Sequence, residues 1–412
     1  MARVGHHVIV GGSAAGVAAA LALRRTGFDG AVTIVDASPR LPYERPVLSK
    51  GLSGDEEAMF RPIVPAKDYR AAEIELRLGC EVDTLDPEAG LVRLSDGEAM
   101  NADRVLLTTG VSARRLSVPG SGLRNVLTLR DFDDARKLAA VIASGGPLVI
   151  VGGGFIGMEV AAAARTAGCA VTVVEAAPMP LLPLGRPLAR LVTELHRQEG
   201  VRVLTGAKIE AFLGTEEVQE VLLSDGERLP AAAVVVGVGV VPNDELAAAA
   251  GAEVRNGQGI VVDACGRSTH PWILAAGDVT VQSHPRLAEP GRIEHWDNAQ
   301  QQGAAVGATM AGDPRVHDAV PYFWSEQYGL TLQMVGRPWA DDRLVVRPGA
   351  DPRHFTAFWL RDGLVVAAAG LDAVRDLAMA KKLVERTAPV SAEVLADASV
   401  GLRALVKETA RR

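Results

Sequence analysis

The sequence predicts an α/β protein with two Rossmann-like dinucleotide-binding domains and a C-terminal α+β domain. Three observations support this prediction. A strand–glycine turn–helix unit occurs twice, each copy is followed by a second strand that ends in an acidic residue, and the last segment combines strand patterns with a closing helix. Because each unit is typical of a dinucleotide-binding fold, we expect two nucleotide sites, one held permanently and one exchanging.

The first copy begins with the apolar run His7–Val10, which enters a small-residue turn and then an alanine-rich helical stretch that reaches Arg25. A helix that starts directly after such a turn offers free N–H groups and a partial positive charge to phosphate groups. Serine takes the place of the middle glycine, so this copy is the weaker of the two. Its turn consists of Gly11, Gly12, Ser13, Ala14, Ala15 and Gly16.

The second copy has all three glycines of the dinucleotide-binding pattern. An apolar run, Pro147–Val151, leads into the turn, and a helical stretch follows to Ala167. In this pattern the first glycine permits the tight turn, the second lets the backbone approach a pyrophosphate, and the third lets the helix pack on the strand. The turn consists of Gly152, Gly153, Gly154, Phe155, Ile156 and Gly157.

An acidic residue ends the next strand in both copies. Ala31–Val35 leads to Asp36, and Ala170–Val174 leads to Glu175. A carboxylate at this point accepts hydrogen bonds from a ribose hydroxyl and would repel a 2′-phosphate. Glu175 therefore favours NADH over NADPH.

Two further apolar runs end in glycine turns. The first, Arg104–Leu107, leads to Thr108, Thr109 and Gly110, and the second, Ile273–Ala276, leads to Gly277 and Asp278. In flavoenzymes with two dinucleotides, FAD usually binds first in the chain. A Gly-Asp pair there places a carboxylate on the ribityl chain, with a helix start behind it. We expect Asp278 to do the same.

Composition and charge exclude several functional classes. The 412 residues carry a formal charge of −7, which argues against nucleic acid as a partner. No apolar run is long enough to suggest a membrane span. The first apolar residues enter the turn at Gly11, so we interpret them as a strand rather than a leader and expect a cytoplasmic protein. The spacing of Cys80, Cys169 and Cys265 suggests neither a disulfide framework nor a zinc site.

From about Val8 to Leu402 the chain resembles the FAD-dependent NADH:ferredoxin reductases of bacterial oxygenase systems. The similarity depends on several separate segments, which are more specific than glycine turns alone. They are Leu41–Lys50, Gly152–Gly157 with Glu159, Gly237–Asn243, Glu294–Ala299 and Phe323–Tyr328. This resemblance implies a tightly but non-covalently bound FAD, NADH as the reductant, and an iron–sulfur ferredoxin, 2Fe-2S or similar, as the electron acceptor.

The resemblance also implies roles for individual residues. Lys50 and Glu159 would form the catalytic pair beside the flavin. The remaining FAD-side residues would be Gly11, Ser13, Ala14, Ala15, Gly16, Asp36, Arg45, Val82, Thr109, Gly110, Arg130, Gly277, Asp278, Glu294, His295, Trp296 and Trp324. The NAD-side residues would be Gly152, Gly154, Phe155, Ile156, Gly157, Glu175, Gly237 and Gly239, together with Glu159.

One residue separates this chain from related flavoenzymes that use a redox-active thiol. Those enzymes keep a cysteine in a Leu-Ser-Cys-Gly context, where this chain has Lys50 within Leu48–Gly51. Disulfide exchange and sulfenic-acid cycling both require that sulfur. Electrons are therefore expected to leave the flavin directly, for an external carrier, a quinone or oxygen.

We expect an FAD domain at residues 1–115 and 245–320, an NAD domain at 116–244 and a C-terminal domain at 321–412. In the C-terminal domain, residues 331–335, 343–347 and 355–360 are predicted to be strands and residues 376–385 a closing helix. The expected ferredoxin would feed an oxygenase, in the first place a haem-thiolate monooxygenase, and no nucleic acid or membrane partner is expected. The protein would be a monomer or weak dimer. The alternatives are a rubredoxin reductase, an NADH oxidase that forms H2O2, and a binding protein similar to apoptosis-inducing factor.

Overall fold

The structure is a computed structural model that describes residues 5–52, 54, 56–287, 289–349 and 353–410. Its first segment forms a parallel sheet with helices and a small antiparallel sheet. The elements are β1 (His6–Val10), α1 (Ala14–Arg25), β2 (Ala31–Asp36), α2 (Val47–Lys50), a 3₁₀ turn (Glu56–Met59), α3 (Ala66–Ala71), β3 (Ile74–Leu78), β4 (Val82–Asp86), β5 (Leu91–Leu94), β6 (Ala99–Asn101), β7 (Arg104–Leu107) and β8 (Val111–Ala113).

The second segment repeats the arrangement of the first. It also contains a parallel sheet with helices and a small antiparallel sheet. The elements are β9 (Val126–Leu127), α4 (Phe132–Ala143), β10 (Leu148–Val151), α5 (Phe155–Thr166), β11 (Val171–Glu175), a 3₁₀ turn (Leu182–Leu184), α6 (Arg186–Gln198), β12 (Arg202–Thr205), β13 (Ile209–Gly214), β14 (Val218–Leu223), β15 (Arg228–Pro230), β16 (Ala233–Val236) and β17 (Val240–Pro242).

The last segment returns to the first sheet and ends in an antiparallel sheet with helices. Its elements are α7 (Glu245–Ala249), β18 (Val254–Arg255), β19 (Gly259–Val262), β20 (Ile273–Ala275), β21 (Thr280–Gln282), α8 (Trp296–Met310), β22 (Tyr322–Gln327), β23 (Leu330–Gly336), β24 (Arg343–Pro348), β25 (Phe355–Arg361), β26 (Leu364–Leu371), α9 (Val374–Glu385), α10 (Ala392–Ala396) and α11 (Leu402–Thr409).

Two five-stranded parallel sheets confirm the prediction of paired Rossmann-like folds. Their strand orders are β20-β7-β1-β2-β3 and β12-β11-β10-β16-β9. The central strands β1 and β10 are almost entirely buried, as expected for a parallel sheet that helices cover on both faces. The chain leaves the first sheet after β7 and rejoins it at β20. At the crossing point between the two units, β8 pairs antiparallel with β17.

The C-terminal sheet contains more strands than the sequence indicates. The predicted strands 331–335, 343–347 and 355–360 correspond to β23, β24 and β25, and the predicted helix 376–385 lies within α9. The strands β22 and β26 were not predicted. Most of β26 is buried, so its sequence lacks the apolar–polar alternation that marks a strand with one exposed face.

The region after Asp278 also differs from expectation. The Gly-Asp pair was expected to precede a helix, but β21 follows it instead, and the next helix, α8, begins at Trp296. Gln302 in α8 accepts a hydrogen bond from the Gly277 N–H at 2.8 Å. The Gln302 side chain therefore accepts the hydrogen bond of the turn N–H, and the turn does not need a helix start directly behind it.

Two buried histidines should make the free energy of unfolding depend on pH. Burial lowers the pKa of His196 and of His317 to about 4, against roughly 6.5 in an unfolded chain. Between these values the unfolded state binds more protons, so stability is lost as the pH falls from about 6.5 towards 4. We expect His317→Gln to reduce the slope of unfolding free energy against pH by up to about 1.4 kcal/mol per pH unit in this window. Denaturant titrations at several pH values would measure the slope, and an unchanged slope would contradict the assignment.

Candidate functional site

A central cavity lies where the carboxyl ends of both parallel sheets meet the C-terminal sheet. Its empty volume, including the open mouth, is about 1220 Å³. This position matches the general rule that α/β sheets bind ligands at the carboxyl ends of their strands. The predicted site residues that line it are Ser13, Ala14, Ala15, Arg45, Lys50, Gly110, Arg130, Phe155, Ile156, Glu159, Gly277, Asp278, Glu294, His295, Trp296 and Trp324.

The start of α1 forms the first cradle. Ser13 is the N-cap of this helix, but its side chain makes no capping hydrogen bond, so the first N–H groups face the cavity without a side-chain partner. A Cβ on Gly16 would overlap the carbonyl oxygen of Gly11, which is why the turn packs so closely on the helix. The Thr108 hydroxyl donates to that same oxygen of Gly11 at 2.7 Å. Sequence reasoning gave Thr108 no role.

The two acidic residues sit in matching surroundings. Asp36 accepts hydrogen bonds from the N–H groups of Gly12 and Ser38. Glu175 accepts from the N–H groups of Gly153 and Ala177, each at 2.6 Å. The turns thus fix both carboxylates at the ends of their strands. Each carboxylate oxygen keeps a further lone pair, which can accept a hydrogen bond from a ribose hydroxyl.

The start of α5 forms the second cradle. Gly152 has φ 103°, and a Cβ there would overlap the carbonyl oxygen of Gly237. A Cβ on Gly157 would overlap the carbonyl oxygen of Gly152, whereas one on Gly154 would meet open space. The first and third glycines are therefore required by packing, and Gly154 leaves room for a ligand to approach the backbone.

Two cations lie side by side in the cavity wall. Arg45 donates to the backbone oxygen of Arg130 at 2.6 Å. Burial, and secondly the charge of Arg45, lowers the pKa of Arg130 to about 10. Burial raises the pKa of Asp278, and Arg130 opposes that rise. Both Arg130 and Asp278 keep part of their surface open to the cavity. An anionic group such as a diphosphate would relieve the repulsion between the two guanidinium groups.

Lys50 and Glu159 form an ion pair that also lines the cavity. Lys50 Nζ lies 3.5 Å from Glu159 Oε1, and the two side chains are 18% and 7% exposed. Lys50 Nζ also donates to Pro46 O at 3.1 Å and lies 5.7 Å from the ring centre of Trp324. The hydroxyls of Ser49 and Ser325 both donate to the Glu159 carboxylate. Sequence reasoning assigned no role to either serine, because they contact Glu159 from distant parts of the chain.

The start of α8 closes the cavity. His295 is the N-cap of this helix, and burial lowers its pKa to about 4, so the ring is neutral at pH 7. Its buried Nδ1 has no hydrogen-bond partner within the described part of the chain. Together with the paired cations, Asp278 and the free helix start at Ser13, this unpaired atom fits FAD, whose diphosphate, hydroxyls and ring system would each meet a suitable group.

Some predicted site residues lie outside the cavity lining. Val82 lies in β4 and packs against a core cluster, so no contact in the structure assigns it a binding role. The Thr109 hydroxyl donates to the Asn243 backbone oxygen at 2.6 Å, and this bond holds the crossing point between the units. Gly239 is exposed just before β17, where its carbonyl oxygen accepts from the Arg114 N–H, and no contact assigns it a binding role. The remaining residues belong to the two cradles behind the lining: Gly11, Gly16, Asp36, Gly152, Gly154, Gly157, Glu175 and Gly237.

None of the three cysteines lines the cavity. The Cys169 thiol donates to Ile142 O at 3.3 Å, Cys80 is buried near Ser95, and Cys265 lies in the turn after β19. Within the ranges that the structure describes, no cluster of His, Cys, Asp and Glu side chains is suited to hold a metal ion. In the same ranges, no helix is both long and apolar enough to cross a bilayer.

Comparison with known proteins identifies the family. Residues 5–303 match the model of the family described as pyridine nucleotide-disulphide oxidoreductase. The chain belongs to this family. Residues 322–406 match a second model, described as reductase C-terminal, so family membership extends to the last sheet as well.

The relatives place the chain among the ferredoxin reductases of this oxidoreductase family. It is 39% identical over 386 residues to a ferredoxin–NAD(P)+ reductase of a Sphingomonas species, with coverage of 92% of this chain and 93% of that protein. It is 35% identical to the putidaredoxin reductase of Pseudomonas putida over 408 residues, with coverage of 97% and 96%.

Two solved structures of ferredoxin reductases have the same fold. One is a ferredoxin reductase of Rhodopseudomonas palustris, with a TM-score of 0.93, 33% identity and coverage of 97% of this chain and 99% of that one. The other is putidaredoxin reductase in a covalent complex with putidaredoxin, with a TM-score of 0.92, 34% identity and 99% coverage of both chains. These comparisons confirm the resemblance inferred from the sequence.

Proposed function

We propose that this chain is an FAD-dependent NADH:ferredoxin oxidoreductase that supplies electrons to an oxygenase. The observation that carries the proposal is the cavity itself. Two dinucleotide cradles open on it, Lys50 occupies the thiol position of related enzymes, and no cysteine lies in its described wall. Relatives named as reductase components of dioxygenase systems, including one of Cupriavidus that is 38% identical, support the oxygenase assignment.

The proposed organisation follows the sheets. The FAD domain comprises residues 1–115 and 245–320, the NAD domain 116–244 and the C-terminal domain 321–412. The crossing at β8 and β17 and the return of β20 to the first sheet support this division. We propose that the protein works in the cytoplasm.

The first cradle would hold FAD through groups of three kinds. The start of α1, Arg45 and Arg130 supply positive charge for the diphosphate. Asp36 and Asp278 supply carboxylates for the hydroxyls of the ribose and the ribityl chain. When bound, FAD supplies hydride acceptance from NADH and release of the electrons one at a time to an iron–sulfur protein.

The second cradle would hold NADH beside that cavity. The N–H groups at the start of α5 would bind the pyrophosphate, and Glu175 would accept hydrogen bonds from the ribose hydroxyls. Phe155 and Ile156 reach from this helix into the cavity lining, and Ile156 is 44% exposed. These two side chains would offer the nicotinamide an apolar surface and help to exclude water from the cavity.

Lys50 and Glu159 would act on the electrostatics of the cavity. A fixed ammonium stabilises negative charge that develops on a neighbouring group. Glu159 holds the Lys50 ammonium, and Ser49 and Ser325 hold Glu159 in turn. Lys50 lies in α2, Glu159 in α5 and Ser325 in β22, so these contacts connect the two proposed nucleotide domains with the C-terminal sheet.

A reduction panel tests the proposed function. The FAD-loaded protein is mixed with NADH and a set of 2Fe-2S ferredoxins and rubredoxins under anaerobic conditions, and bleaching of each metal centre is followed by absorbance. We expect rapid reduction of at least one ferredoxin. A parallel aerobic assay without any iron–sulfur protein measures oxygen consumption. Faster turnover with oxygen than with every ferredoxin would identify an NADH oxidase and overturn the proposal, as would a preference for rubredoxin.

The rate of ferredoxin reduction should fall as ionic strength rises. The whole chain has a formal charge of −7, whereas its C-terminal segment is slightly basic. An acidic ferredoxin would therefore approach the seam between this segment and the FAD domain, and salt screens such steering. Stopped-flow measurement between about 0.01 and 0.5 M salt should show a decrease of roughly tenfold or more. A rate that does not respond to salt would refute charge steering.

Asp278→Asn should weaken FAD binding. The substitution removes the carboxylate whose charge is opposite to that of the two cavity cations and which would accept hydrogen bonds from the ribityl hydroxyls. We expect the dissociation constant of FAD to rise about tenfold, the equivalent of one charged hydrogen bond. Fluorescence titration of the apoprotein measures it. Asp263→Asn, in the exposed turn after β19, is the matched control and should bind FAD like wild type.

A further inference from the structure

A chain of polar side chains leads from Glu159 away from the cavity. Ser325 donates to Glu159 Oε1 at 2.7 Å, and the Gln327 amide donates to the Ser325 oxygen at 2.9 Å. Gln327 Oε1 lies 2.7 Å from His196 Nε2, and the Tyr328 hydroxyl lies 3.0 Å from His196 Nδ1. Ser325, Gln327 and His196 are at most 4% exposed. The chain joins α5, α6 and β22 with the turn after β22.

The charge of Glu159 fixes the direction of every hydrogen bond in this chain. An ionised carboxylate only accepts, so Ser325 must donate to it and must itself accept from the Gln327 NH2 group. The Gln327 oxygen then accepts from His196 Nε2–H, and His196 Nδ1 accepts from Tyr328. Since burial lowers the pKa of His196 to about 4, the ring is neutral at pH 7 and carries only one proton, as this arrangement requires.

Two features indicate that the chain orients groups and does not conduct protons. An amide in the middle is a poor carrier of protons, because relay through it would need the imidic acid tautomer. A neutral histidine with a low pKa also resists taking a second proton. In addition, Tyr328 and Gly329, with φ 54° and 74°, form the two-residue turn between β22 and β23. Hairpin turns of this length favour positive φ at both positions, so the hairpin explains the conformation of Tyr328. The turn holds the Tyr328 hydroxyl 3.0 Å from His196 Nδ1.

We propose that Tyr328, His196 and Gln327 are positioning residues, which hold Ser325 as a donor to Glu159 and thereby fix the Glu159–Lys50 pair in the cavity wall. This inference rests on the proposed function, because the pair matters only if a reaction takes place in the cavity. It adds three residues, none of which lines the cavity, to those that determine the rate of flavin reduction.

The test uses two variants in the FAD-loaded protein. Tyr328→Phe removes the terminal donor alone, and Gln327→Leu breaks the chain in the middle. Thr193→Val is the matched control, since Thr193 has a buried hydroxyl on α6 whose hydrogen bond, within the described part of the protein, goes to Ala189 O of the same helix. Tyr69→Phe is a second control, because the buried Tyr69 hydroxyl has no partner in the described part of the chain.

Two readouts separate positioning from general stability. The first is stopped-flow reduction of the flavin by NADH, which gives the limiting rate constant and the dissociation constant of NADH separately. The second is the tautomer of His196, observed by NMR of protein labelled with 15N-histidine and assigned with His196→Gln. The NMR readout does not depend on catalysis, so a wild type that fails to reduce flavin would overturn the proposed function and leave the hydrogen-bonded chain to be judged by NMR.

We expect wild-type His196 to carry its proton on Nε2, and we expect Tyr328→Phe to shift the Nδ1 resonance. Gln327→Leu should lower the limiting rate constant about tenfold, the loss of one hydrogen bond to a charged system, with the NADH dissociation constant little changed. Tyr328→Phe should lower the limiting rate by a smaller factor, and it decides the case if Gln327→Leu does not fold. Three results would each overturn the proposal: a proton on His196 Nδ1, a wild-type limiting rate in Tyr328→Phe or Gln327→Leu where these variants fold, or an equal loss of rate in the two control variants.

Discussion

Lys50→Met is expected to lower the limiting rate constant for flavin reduction by NADH about a hundredfold. Lys50 Nζ is the cation that lies 3.5 Å from Glu159 in the cavity wall. Its loss removes an ammonium that stabilises developing negative charge, which is worth roughly 3 kcal/mol when a preorganised group is deleted. It also leaves the buried Glu159 without its ion partner, a further cost. Stopped-flow absorbance of the bound flavin would measure the effect.

Two matched variants separate the charge of Lys50 from its packing. Lys50→Arg keeps a cation at this place and should recover part of the rate. Lys67→Met makes the same chemical change at an exposed position in α3 and should reduce flavin like wild type. Wild-type kinetics in Lys50→Met would limit Lys50 to a structural role and would remove the electrostatic part of the mechanism.

Glu175→Ala is expected to change the ratio of kcat/KM for NADH to that for NADPH by about a hundredfold. The carboxylate is the group fixed by the N–H groups of Gly153 and Ala177 at the end of β11. Its removal takes away a hydrogen bond to the ribose of NADH, worth about 1.5–3 kcal/mol when the group is charged. It also takes away the repulsion of a 2′-phosphate. Steady-state kinetics with both nucleotides would measure the ratio.

Charge and hydrogen bonding can be separated at this position as well. Glu175→Gln keeps the shape and an acceptor oxygen but loses the charge, so it should relax the rejection of NADPH more than it weakens NADH. Glu210→Ala, an exposed glutamate on β13 of the same unit, should leave both values unchanged. An unaltered nucleotide preference in Glu175→Ala would refute the role assigned to this residue.

The sequence predicts those parts of the fold in which a short run of residues is required by contacts of the backbone close by. The two turns at Gly11–Gly16 and Gly152–Gly157 were predictable because a Cβ at their first and last positions would overlap a backbone carbonyl. Asp36 and Glu175 were predictable because each follows an apolar run at a fixed distance from the turn. The buried strands β1 and β10 were predictable because each leads into a glycine turn, whereas β26, which is also mostly buried, leads into no such turn and was missed.

The parts of the site that the sequence did not predict depend on contacts between distant segments. Ser325 meets Glu159 from 166 residues away in the chain, and Tyr328 meets His196 from 132 residues away. No local pattern predicts such pairs. Lys50 was identified because it ends the segment Leu41–Lys50 that resembles the ferredoxin reductases, and that assignment came from the family resemblance and not from periodicity.

An anaerobic titration with NADH determines whether flavin is the sole redox centre of this chain. The absorbance of the bound flavin is followed while NADH is added in small steps to the FAD-loaded protein. We expect one equivalent of NADH per flavin to complete the bleaching, since no sulfur in the described cavity wall can store a further electron pair. Consumption of a second equivalent, or a protein that takes up no flavin, would contradict it.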